Sequence, residues 1–145
     1  MEQTEEREIM EEKIAFDPEK RQKEIAVGAK RLQTATGLNW GLLLFLAACS
    51  VYAVWVFLNR ARFGPMLAGM PQTKMVLVII AHFAVLWVVY YGCKSIQRKL
   101  LRGQRLPKEE FGKQIKVLST VSVIQTVLVT LLHVLLLFFL GTMPR

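Results

Sequence analysis

Charge is missing from three long stretches of this chain: residues 38–59, 75–93 and 117–141 contain no Asp, Glu, Lys or Arg. A soluble fold of 145 residues intersperses polar and apolar side chains at a period of two or 3.6, so such segregation excludes an ordinary water-soluble domain. Chemistry-bearing residues are equally sparse. With two cysteines and two histidines there is no metal-spaced cluster, and neither a glycine-rich phosphate loop nor a nucleophile elbow occurs. Pairs of acids fall only in the charged segments, and a span without a carboxylate argues against a proton-coupled pump. The opening, Met1-Glu2-Gln3-Thr4-Glu5-Glu6, is acidic, where a secretory signal opens basic and a transit peptide is acid-poor.

What is present is oil. Hydrophobic residues make up 53% of the chain, and they are collected into the three uncharged stretches. At 1.5 Å per residue these stretches are roughly 33, 28 and 37 Å long as helices, against a hydrocarbon core of about 30 Å. Helix is the state that satisfies every backbone N–H and C=O within one lipid-immersed segment. The composition therefore predicts an all-α integral membrane protein, a bundle of three transmembrane helices. Residues 38–141 form its membrane domain, and 1–37 are a charged N-terminal segment. The third span is long enough to tilt or to project past the lipid.

Orientation follows from Lys and Arg. Seven precede the first span, eight lie in the loop 94–116, three lie between spans one and two, and one follows span three. The positive-inside rule puts the N-terminus and the 94–116 loop inside and the C-terminus outside, in a bacterial or mitochondrial inner membrane. Trp40, Trp55, Tyr90 and Tyr91 fit interfacial anchoring, whereas Trp87, nearer mid-span, fits helix packing. This topology puts Cys49 near mid-bilayer and Cys93 near one face, so both read as small apolar residues, not a disulfide.

Outside the spans, residues 1–16 are rich in Glu and are expected to be mobile. Asp17-Pro18-Glu19 is a helix start, with Asp as N-cap, Pro at the first helical position and an acid in the first turn. An amphipathic helix over 18–36 is expected, with Ile25, Ala29 and Leu32 on one face and a break at Gly37. Two roles fit it: lying on the inner leaflet or docking a partner subunit. In the outer loop Gly64-Pro65 and Met70-Pro71 read as turns. The basic loop is expected to extend span two to about Leu101, break at Gly103 and restart at Pro107 as the lead-in to span three. Its eight cations face an anionic inner leaflet, each gaining about 1 kcal/mol near the surface. They lack the aromatic or modular pattern of a nucleic-acid site, so no nucleic-acid partner is expected.

Two features inside the spans remain. Ser119, Ser122, Thr126, Thr130 and His133 fall within one face about 80° wide on span three, with Gln125 at its edge. Such a stripe is expected to point into a bundle and to bond another helix or its own backbone carbonyls. His82 and His133 lie at similar depths on spans two and three, the arrangement a bis-imidazole haem b site requires. The bland reading of each histidine is a structural hydrogen bond. Small residues on span one, Cys49 and Ala53 among them, would admit a close helix neighbour.

The composition thus predicts a non-catalytic membrane subunit or assembly factor, with no cofactor, that packs against other membrane subunits. Two alternatives are a haem b anchor using His82 and His133, and a homo-oligomeric pore or transporter lined by the stripe from Ser122 to His133.

Overall fold

The computed structural model describes residues 17–103, 106 and 108–141. The acidic segment 1–16 and the expected restart residue Pro107 lie outside them. Among the described residues there are four helices and no strand: α1 (Pro18–Leu58), α2 (Arg60–Ala68), α3 (Gln72–Leu101) and α4 (Lys108–Gly141). Three of these, α1, α3 and α4, are long and apolar enough to cross a membrane.

Helix α1 begins as its sequence dictates. The Asp17 carboxylate accepts from the Glu19 N–H at 3.1 Å, and Pro18 supplies the first turn with no N–H left unpaired. The expected break at Gly37 does not occur. One helix of 41 residues, about 62 Å long, replaces the separate amphipathic helix 18–36 and span 38–59. The reason lies in the phase of its buried line. Gly28, Leu32, Ala35, Asn39, Leu42, Leu46 and Ser50 recur every three or four residues straight through Gly37. Gly37 itself costs about 1 kcal/mol relative to Ala, too little to end a helix that packing sustains on both sides. The face expected from Ile25, Ala29 and Leu32 is rotated accordingly: Leu32 is fully buried, Ile25 half-buried and Ala29 exposed.

The outer connection also differs from expectation. Arg60–Ala68 is a helix with Pro65 inside it, and the chain turns at Gly69 and Met70, where the Met70 N–H bonds the Leu67 carbonyl at 3.1 Å. Proline removes one backbone donor without forbidding the short helix around it. Contacts back to α1 hold α2 in place. Phe63 meets Trp55 edge-on at 5.6 Å, and the Arg60 guanidinium sits 4.9 Å from the Phe57 ring centroid. At the inner connection, α3 ends at Leu101, Arg102 is extended, and Gly103 takes the positive φ of 78° that a side chain would resist. Acidic Glu109 and Glu110 in the first turn of α4 complement its helix dipole.

Helix α1 is the centre of the bundle. It packs along α4 and, less extensively, along α3. The core joins Leu42 and Leu46 of α1 to Leu86 of α3 and to Val129 and Leu132 of α4, with Cys49 and Cys93 partly buried against it as free thiols. Lipid tails are as apolar as leucine, so in a bilayer this core holds by close packing and interhelical hydrogen bonds, not by escape from water. Large apolar side chains such as Val88, 72% exposed, cover the outer faces.

Candidate functional site

Two amides sit on the line that α1 and α4 bury against each other. Asn39 is 3% exposed and Gln125 0%. The Gln125 amide N–H donates to the Asn39 backbone carbonyl at 2.6 Å and to its side-chain Oδ1 at 2.7 Å. The Asn39 Nδ2 donates in turn to the Leu118 carbonyl of α4 at 3.1 Å. Three bonds therefore close a clasp between the helices. Gln125 Oε1 is enclosed without a hydrogen-bond partner among the described residues, an oxygen whose desolvation costs about 1–3 kcal/mol. Amides are neither acids nor nucleophiles at neutral pH, so the work of this clasp is mechanical.

The stripe on α4 points elsewhere. The buried line Val121, Gln125, Val129 and Leu132 is centred about 100° around the helix from the stripe. Ser119, Thr126 and Thr130 are exposed, and only Ser122 and His133 are half-buried. Within this chain the stripe therefore does not face α1, contrary to the inward orientation expected of it. Its two threonine hydroxyls are satisfied locally: Thr126 donates to the Ser122 carbonyl at 3.0 Å and Thr130 to the Thr126 carbonyl at 2.9 Å. Gln125, read from the sequence as an edge residue, makes the interhelical bonds instead.

Between α3 and α4, side chains bridge what the backbones do not. The Lys94 ammonium donates to Ser122 Oγ at 2.8 Å and lies 5.9 Å from the Tyr90 ring centroid. Two to three helical turns away, His133 meets Trp87 edge-on at 4.9 Å and Phe83 at 5.2 Å. Trp87 also stacks on Tyr91 at 4.7 Å. The aromatic column of α3 thus runs down into the Lys94 bridge.

The two histidines are not brought together. His133 Nδ1 lies 2.8 Å from the Val129 carbonyl, which fixes the proton on Nδ1 and leaves Nε2 as the basic nitrogen. His82 is exposed, its Nδ1 2.9 Å from the Val78 carbonyl. The α3 residues facing His133 are Phe83 and Trp87, and His82 lies about 120° around the helix from the middle of that pair. Both rings take the backbone hydrogen bond of the bland reading.

Asn39 is the residue that sequence reasoning missed. Its signal was there: an amide on an otherwise apolar line of Leu32, Ala35, Leu42 and Leu46, matched by Gln125 on the apolar line of α4. Compared with protein-family models, curated proteins and solved structures, the chain matches none.

Proposed function

We propose that this protein is a non-catalytic subunit or assembly factor of a larger membrane complex, held in the bilayer by α1, α3 and α4 and packed against partner helices through α4. The observation that carries this reading is the uncovered stripe. Ser119, Thr126 and Thr130 stand exposed on a membrane-length helix, the hydroxyls of Thr126 and Thr130 already bonded to their own backbone. Small hydroxyl residues of this kind let a second backbone approach closely, and lipid gains nothing from them that a leucine would not supply.

The length of α1 supports the same reading. A helix of about 62 Å is twice the depth of a hydrocarbon core, so its first turns, with Lys20, Lys23, Lys30 and Arg31, reach about 30 Å out of the bilayer. The excess of Lys and Arg at that end and in residues 94–116 supports an inside location for both. A rigid rod fixed to a bundle presents a defined surface to a docking partner.

Site-directed photocrosslinking tests the reading. A photoreactive residue at Thr130, with one at Leu77 on the exposed face of α3 for comparison, is expected to give a discrete adduct with a different membrane polypeptide from position 130. An adduct only with a second copy of this chain would favour the homo-oligomeric pore, and lipid adducts alone would contradict both.

A further inference from the structure

A groove of about 560 Å³ opens between α3 and α4, lined by Lys94, Gln97, Arg98, Leu101, Arg102 and Ser122. It shares Gln97 and Ser122 with a second depression of about 350 Å³ that runs along α4 from Ile115 to Thr126. The first part is built to meet an anion. Lys94 and Arg98 stand four residues apart on one side of α3, Arg102 follows just past the helix end, and among the described residues no carboxylate pairs with any of them. Lys94 is half-buried, with its ammonium held on Ser122 Oγ. Because Ser122 accepts that bond, its own proton stays available to donate. Gln97, only 8% exposed, lines the same wall.

The second part is walled largely by hydrocarbon. Ile115, Leu118 and Val123 line it, with Ser119 and Thr126 beside them and Gln97 and Ser122 at the shared edge. Lys94 stands one residue beyond the uncharged stretch 75–93, and Ser122 lies a turn and a half into the stretch 117–141. The groove therefore sits where headgroups give way to acyl chains. A ligand that fits both parts carries a negative head and an apolar tail.

We propose that this groove holds one anionic phospholipid, its phosphodiester on the Lys94 ammonium and Ser122 hydroxyl and one acyl chain along Val123 and Thr126. The site differs from the diffuse attraction of a basic loop for a charged leaflet because it has a stoichiometry and a location. It rests on the three long helices crossing a bilayer; since Ser119 and Thr126 line the groove as well as the stripe, the lipid and a partner helix share that edge of α4, the partner seating on the Thr130 side.

Native mass spectrometry of the full chain in mild detergent tests it, with dioleoyl phosphatidylglycerol and dioleoyl phosphatidylcholine as probes. The expected result is a single retained phosphatidylglycerol and no comparable phosphatidylcholine adduct. Lys94→Gln is expected to weaken retention about tenfold, as loss of a charge-assisted hydrogen bond would. Lys99→Gln and Lys113→Gln, which remove the same charge from exposed positions outside the groove, are expected to leave it unchanged. Should Lys94→Gln fail to fold, Ser122→Ala and Arg98→Gln carry the comparison. Equal retention of both lipids, or equal losses in the groove variants and the Lys99 and Lys113 controls, would overturn the site. Displacement by inorganic phosphate would overturn the lipid as its occupant. Alkaline carbonate washing of the source membranes separates the two failures: a protein that stays in the pellet yet retains no lipid refutes the groove alone.

Discussion

Gln125 of α4 holds Asn39 of α1 twice, through the backbone carbonyl at 2.6 Å and the side-chain oxygen at 2.7 Å. These residues stand 86 positions apart in the chain, and their pairing sets both the depth and the rotation at which the two longest helices meet. A single amide on each apolar line is enough, because any other register would leave both in hydrocarbon without partners.

Gln125→Ala is expected to destabilise the bundle by about 1–2 kcal/mol, the upper range for interhelical hydrogen bonds in membranes. Thr126→Val, one residue on, is expected to change stability by less than about 0.5 kcal/mol, since it loses only a bond to its own helix. Steric-trapping unfolding in bicelles measures both. Equal costs at the two positions would show that the stripe, not the Gln125 line, faces α1.

His133 and His82 are expected to behave differently. His133→Ala removes an aromatic contact with Trp87 and Phe83 worth about 0.5–1.5 kcal/mol, and it changes Trp87 emission in a Trp40→Phe, Trp55→Phe background. His82→Ala, at an exposed position, is expected to alter neither. The absorbance spectrum of the purified protein checks the rival reading: a Soret band lost in either single variant would establish the haem b anchor instead.

The continuity of α1 yields a distance. Spin labels at Val27 and Val51, both exposed and 24 residues apart, are expected to lie about 36 Å apart along one straight helix. A bend at Gly37 that laid the first segment on the membrane surface would shorten that separation and broaden its distribution. Gly37→Ala is expected to stabilise α1 by about 0.5–1 kcal/mol, because a methyl group there meets nothing within 4 Å.

The three long helices were legible in the sequence because their signal is local: an uncharged run of sufficient length needs no knowledge of its neighbours. The Asp17 cap, the end of α3 near Leu101 and the turn at Gly103 were legible for the same reason. The rotation of each helix was not. In a soluble protein the polar face turns outward, but in lipid the outer and inner faces are both apolar, so composition does not identify which side of α4 meets α1. The hydroxyl stripe looked like the inner face because five polar residues outnumber one glutamine. Yet serine and threonine satisfy themselves on their own backbone, as Thr126 and Thr130 do, whereas a glutamine side chain in hydrocarbon needs another helix. The register of Gly37 was misread for a related reason: its helix-breaking tendency is local, but the buried line that overrides it comes from packing against α4.

All of this depends on three passages through the bilayer, and the sidedness of the two chain ends tests that most directly. In the host cell, a fluorescent protein fused before Met1 and a periplasmic-type alkaline phosphatase fused after Arg145 report the inside and the outside respectively. An odd number of spans with the basic segments inside predicts that both reporters are active. Silence of the phosphatase, with a cytoplasmic reporter active at both ends, would place the two ends on one side and contradict the three-span fold.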